Sequence, residues 1–204
     1  ANFEYKIGEI NVATIWNPKA KKGRDFGGFN YANEDSILRW LHRGDTIYDV
    51  EIPQDAENIK VEGATTIYRT NKILLKNPRK VTDEMALHYY NISKIPARAY
   101  YKALGVVAIM GYKNTAFQIL RDKVNKDNID EVLEEWNDFI SHGDKNDRSN
   151  LNGLVKEIDQ CLNEIKNPLY ISLSVEKEPY IKELTNDKII NLTGQSGSGK
   201  STYA

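Results

Sequence analysis

Ile189-Ile190-Asn191-Leu192-Thr193-Gly194-Gln195-Ser196-Gly197-Ser198-Gly199-Lys200-Ser201 decides how the C-terminal part of this chain is read. A short apolar strand runs into the pattern G-x-x-x-x-G-K-[ST], which Gly194 to Ser201 matches in full. A phosphate chain needs many donors at short range, and glycines let backbone N–H groups turn inward with no Cβ in the way. Lys200 offers a positive charge to the β- and γ-phosphates, and the Ser201 hydroxyl is the Mg²⁺ ligand of such a loop. A helix starting here adds its positive dipole end. Gly194, Gln195, Ser196, Gly197, Ser198, Gly199, Lys200, Ser201 and Thr202 are therefore the expected contacts for ATP or another NTP, with Ser201 as the metal ligand.

Only Thr202, Tyr203 and Ala204 follow. The helix after such a loop needs about three turns, and a second metal-holding aspartate and the rest of a parallel sheet have no counterpart. The expectation is an incomplete P-loop NTPase or kinase domain over 167–204. It would hold the first strands and the loop of a truncated α/β fold, which on its own binds ATP poorly.

Upstream, Pro168 opens a strand over 169–175. Residues 141–152, rich in Asp, Asn and Gly, read as a linker. Between Pro78 and Lys166 the pattern is helical. Thr82-Asp83-Glu84 is a helix start, and Pro96 suits the first turn of the next helix. Helices are expected over 114–124, 129–140 and 154–165. Val132, Leu133, Trp136 and Phe139 form one apolar face of the second of these. The first eighty residues mix strands with one helix. Strands are read over 10–16, 26–31 (aromatic and glycine-kinked), 46–52, 64–68 and 72–75. A helix runs from an Asn33 cap through Leu41 and stops at Gly44. The fold class is thus an α+β domain over 1–80, a helical region over 81–166, and the partial α/β domain.

Composition narrows the rest. The chain has 204 residues, 28 basic and 29 acidic side chains and a net charge of −1, so no global field draws it to nucleic acid or anionic lipid. No apolar run approaches the roughly 20 residues of a membrane span. Cys161 is the single cysteine, expected as a helix core residue in a reducing cytoplasm. His42, His88 and His142 lack metal-ligand spacing. Lys19, Lys21, Lys22 and Arg24 form a basic loop beside Phe26 and Tyr31. Cation plus aromatic suits single-stranded nucleic acid, although a solvated loop explains it as well. Arg43-Gly44-Asp45 is read as a helix stop rather than an adhesion signal.

Two resemblances add to this. Ile189 through Ala204 resembles the opening of small P-loop kinases of the polynucleotide-kinase and zeta-toxin type. That resemblance implies ATP and Mg²⁺ as ligands and phosphoryl transfer as the activity of the parent protein. The long region before the loop resembles uncharacterised proteins of low-GC Gram-positive bacteria and their phages. More faintly, Gly27-Gly28-Phe29-Asn30-Tyr31, a helix with Trp40, and Ile47 to Pro53 resemble the strand–helix–strand run of ADP-ribosyltransferase-like domains, for which Glu51 and Glu62 are the candidate catalytic acids. Three function classes stay open: an ATP-dependent kinase or NTPase with an N-terminal accessory region, a binding or interaction module acting without nucleotide, and a transferase using NAD.

Overall fold

The computed structural model describes residues 3–22, 25–61, 65–142, 153–168, 190–191 and 202–203. Ala1–Lys166 form one compact unit and Asn167–Ala204 a second.

In the first unit the core is helical. Helices α1 (Asp83–Ile92), α2 (Ala97–Met110), α3 (Lys113–Lys123), α4 (Ile129–His142) and α5 (Gly153–Lys166) lie where the apolar periodicity puts them. In α2, Ala99, Tyr100, Tyr101 and every residue from Ala103 to Ala108 are buried. A helix apolar on all sides has to be surrounded, and α2 is packed against α3, α4, α5 and a 3-10 helix, Glu34–Arg43. It ends at Gly111 with φ 79°, a left-handed conformation that glycine adopts without steric cost. The Tyr112 N–H then donates to the Val107 carbonyl at 2.9 Å.

Polar contacts tie the helices at defined points. Thr82 caps α1, its hydroxyl accepting from the Met85 N–H. Asp83, in the first turn of α1, accepts the Asn114 and Thr115 backbone N–H groups of α3 at 2.8 and 3.0 Å, so a carboxylate on one helix caps the start of another. On α4, Glu135 is buried and pairs with Arg98 and Lys102 of α2. Burial pushes its carboxyl pKa up, and the Lys102 and Arg98 partners outweigh this and hold it below its ordinary value. Leu133 and Trp136 are buried on α4 and Phe139 packs beside them. The Trp136 indole N–H donates to Asp159 of α5 at 3.1 Å. Cys161 is half-buried on α5 against the same core, and burial raises its thiol pKa.

The segment after Asn33 corrects two expectations. It is a 3-10 helix rather than an α-helix, and the Asn33 side chain makes no capping bond. The physical reason lies in its spacing. Leu38 and Leu41 are its buried residues, and a 3-10 helix aligns positions three apart into one straight stripe. Gly44 does end it, but with φ 179°, an extended conformation and not a left-handed cap. This helix packs on α1 and α2, so the change of character near residue 80 falls inside one compact unit.

Two three-stranded antiparallel sheets complete the unit. Strands β1 (Ile10–Val12), β6 (Lys72–Lys80) and β3 (Thr46–Glu51) form one in the order β1-β6-β3; β2 (Phe29–Tyr31), β5 (Ile67–Thr70) and β4 (Asn58–Val61) form the other in the order β2-β5-β4. The chain passes between sheets at Thr70, a fully buried residue whose hydroxyl lies within 3.0 Å of the Glu57 and Lys72 carbonyls. Two features of the sequence reading change. Strand β6 continues through Asn77-Pro78 as a bulge, with Asn77 at φ 49° and the two residues together opposite Tyr48 of β3. Trp16 forms only an isolated bridge, to Gly27. Gly27 and Gly28 have φ 65° and 72°, and a Cβ would sit 2.2 Å from the Ile15 carbonyl oxygen at Gly27 and 2.6 Å from that of Thr70 at Gly28. The kink read at these glycines is a close crossing of three chain segments. A small second core, Phe29, Ile73 and Leu75, joins the sheets.

Trp136→Ala is expected to cost about 3–5 kcal/mol through the cavity it leaves and the lost bond to Asp159. Urea unfolding followed by circular dichroism measures it, and a cost under about 1 kcal/mol would show that the α4–α5 contact is not part of the main core.

Candidate functional site

The sheets, the 3-10 helix and the end of α1 line an open cleft of about 1580 Å³ in the first unit. Each wall follows from local structure. The 3-10 helix contributes Ile37, Trp40, Leu41 and Arg43, and β6 contributes Ile73, Leu75 and Arg79. Strand β5 contributes Ile67 and Arg69, two residues apart and hence on one sheet face. Strand β3 borders the cleft along five consecutive residues, Thr46 to Val50. Beyond α1 lie Ser93 and Lys94, the latter's N–H bound to the Asp35 carbonyl at 2.9 Å.

The polar groups are held in fixed pairs. The Arg79 guanidinium donates to Asp49 at 2.6 Å, and the Asn77 amide donates to the other Asp49 oxygen at 2.8 Å. The bulge that admits Asn77 therefore also aims its amide at Asp49. Those two bonds, Arg79 first, hold the Asp49 pKa down at about 2. The Arg39 and Arg43 guanidinium groups lie 5.0 and 5.8 Å from the centre of the Trp40 ring, within cation–π range. Burial, with repulsion from Arg43, lowers the Arg39 pKa against the pull of Glu135. Tyr31 stacks on Tyr68 at 5.2 Å and its hydroxyl accepts from the Asn58 amide at 2.6 Å. Arg69 lies over the Phe26 ring at 5.4 Å.

The residues singled out in the sequence fall in several places. Gly194 to Ser201 lie outside the described residues, as do Arg24, Glu62, the segment 169–175 and most of 141–152. Of the flanks of the loop, Ile190–Asn191 (β7) pairs antiparallel with Thr202–Tyr203 (β8). Thr202 is thus extended where the start of a helix was expected. Paired strands satisfy each other's backbone groups at once, whereas a helix nucleus fixes several residues for its first bond. Glu51 is exposed, pairs with Lys76 and does not line the cleft. Of the RGD tripeptide, Arg43 faces the cleft, while the Asp45 carbonyl accepts the Val81 N–H at 2.8 Å. Lys19, Lys21 and Lys22 are exposed. His42 packs edge-on against Phe139 at 5.4 Å, and His88 is exposed. Among the described residues no group of three or more His, Cys, Asp or Glu side chains could hold a metal ion, and no helix is long and apolar enough to cross a membrane.

The sequence reading missed the Asp49–Asn77–Arg79 cluster. The one local signal was Asn77-Pro78, an irregular pair inside a strand, and its partner in β3 became visible only through the register. With this geometry established, comparison with known proteins adds no identity: no family model, no curated protein and no solved structure matches the chain.

Asp49 is expected to stay ionised down to about pH 2. Because its folded pKa is depressed, the stability it contributes is present above the ordinary carboxylate value of 3.8 and is lost as pH falls through about 2. A carboxyl-detected NMR titration should find the Asp49 midpoint near 2 in the wild type and near 3.8 in Arg79→Met with Asn77→Ala. An unshifted wild-type midpoint would mean that the cluster does not form in solution.

Proposed function

We propose that the protein of which this chain is part is an ATP-dependent kinase or NTPase, with 194–201 as its phosphate-binding loop and Ala1–Lys166 as an accessory recognition unit. The observation that carries this reading is the complete G-x-x-x-x-G-K-[ST] match immediately after an apolar segment that includes strand β7. In this reading the Lys200 ammonium sits against the β- and γ-phosphates. Ser201 would hold Mg²⁺, which would supply charge neutralisation for the phosphates. The backbone N–H groups of Gly197 and Gly199 complete the anion cradle. The loop's contribution in this reading is binding and charge neutralisation.

The cleft favours a second reading, in which the first unit binds its own ligand without nucleotide. Apolar and aromatic walls with a few fixed polar groups are the usual make-up of a ligand site. The NAD-transferase reading draws less support, since Glu51 stands outside the cleft and is paired with Lys76.

Calorimetry with Mg-ATP tests the main reading on the protein that carries this chain. Wild type should bind, and Lys200→Ala should lose at least about tenfold in affinity, or 1.4 kcal/mol. Equal binding by both proteins would show that the loop is not a working nucleotide site.

A further inference from the structure

Strand β1 is inverted relative to an ordinary outer strand. Ile10 is 54% exposed, Asn11 4% and Val12 56%, so the polar side chain is buried and both β-branched apolar ones face solvent. Successive strand residues point to opposite faces, and a slip of one residue would exchange the two sets. The register that exposes Ile10 and Val12 is pinned by the Asn11 side chain. It accepts the Lys6 N–H at 2.8 Å and donates to the Lys6 and Glu9 carbonyls at 2.8 and 3.1 Å. Nor is the exposure scattered. Of the seven large hydrophobics exposed among the described residues, six fall between Phe3 and Ile15, and a concentration of this kind marks an interaction surface where single exposed residues do not.

Pairing extends the outward face of β1 across its sheet. Ile10 stands opposite Leu74 and Leu74 opposite Glu51; Val12 stands opposite Lys72, and Lys76 opposite Asp49. The alternate positions Asn11, Ile73 and Leu75 are buried on the other side. The face is therefore apolar at Ile10, Val12 and Leu74, with two lysines and two acids beside them. All four charges are already paired within the chain: Lys72 with Asp55, Lys76 with Glu51, and Asp49 with Arg79. Such a face has no excess charge with which to select nucleic acid, an anionic membrane or a strongly charged protein. It does complement a surface of its own composition, because an equal number of acids and bases meets no like-charge excess there. Sheet faces pack on one another at about 10 Å, and a two-fold axis turns one such face onto itself.

We infer that the face formed by Ile10, Val12 and Leu74 is a self-association surface whose partner is a second copy of this chain, packed sheet on sheet about a two-fold axis. Ile10 and Val12 are buried against the partner's sheet, and the paired lysines and acids form the rim. Three short strands make a small interface, so the dimer is reversible. This assignment does not depend on the phosphate-binding loop.

Sedimentation velocity on the full chain without nucleotide, from about 5 μM to about 1 mM, tests it. The sedimentation coefficient should rise from the monomer value to the dimer value over this range. Amide NMR shifts on dilution should be confined to Ile10–Val12 and the strand around Leu74. Because the face is neutral, raising the salt from about 50 mM to about 500 mM should change the association constant by less than about threefold. Ile10→Lys with Val12→Lys should weaken association at least about tenfold; both side chains are exposed, so the variant is expected to fold. Val12→Thr, which keeps the branched shape and adds a hydroxyl to be desolvated, should weaken it at least about threefold with the circular dichroism unchanged. A monomer at every concentration, undiminished association in either variant, or association lost in salt would each overturn the assignment. A monomer that instead floats with phosphatidylcholine vesicles would give the face to lipid and overturn it as well.

Discussion

The burial of α2 is the constraint on which the rest of the first unit depends. A fourteen-residue helix buried at nine of its positions, with Arg98 and Lys102 on its remaining polar side, needs neighbours arranged to cover the rest. Helices α3, α4, α5 and the 3-10 helix do so, and α1 packs against α3 and the 3-10 helix. The polar residues at the margins act as locators. Asp83 sets the start of α3 against α1, Glu135 holds α4 to α2 through Lys102 and Arg98, and Asp159 receives the Trp136 indole. Removing both Arg98 and Lys102 would leave the buried Glu135 charge without compensation, which costs more than the pairs themselves contribute.

Because the helices supply the main core, the sheets need only a small one. Phe29, Ile73 and Leu75 are its buried members. This division of labour leaves room for a cleft. A sheet that had to bury a full face against helices would close the space that Trp40, Tyr48 and Arg79 now line. The outward Ile10 and Val12 on β1, with Asn11 turned inward and buried, belong to the same pattern. The Asn11 side chain is satisfied locally, accepting the Lys6 N–H and donating to the Lys6 carbonyl, both at 2.8 Å.

The cleft gains its order from one irregularity. A bulge at Asn77-Pro78 brings the Asn77 amide and the Arg79 guanidinium onto the same carboxylate. The extra residue in β6 sets Asn77 and Pro78 together opposite Tyr48, between the Ile47–Arg79 and Asp49–Lys76 pairs. The same bulge gives a proline a place inside a strand.

Much of the fold was legible because its signals are local. Helix periodicity, the Thr82 start and the stretch from Val132 to Phe139 depend on neighbours within a turn or two. The glycine pair at 27–28 reads correctly as a kink for the same reason. The G-x-x-x-x-G-K-[ST] pattern at 194–201 is also a local signal, complete in the order of its residues. Three things were not local. The hydrogen-bond period of the segment 34–43 was decided by the surface it packs on, which rewards residues three apart. The run of β6 through Pro78 was decided by a bulge shared with β3. The cleft was decided by strand order, since only pairing can tell which strands come to border one space. The sequence by itself determined which segments are helical and where the apolar residues concentrate. Tertiary structure alone decided which charges meet, because residues 49, 77 and 79 are brought together by the register between two strands that no nearest-neighbour rule contains.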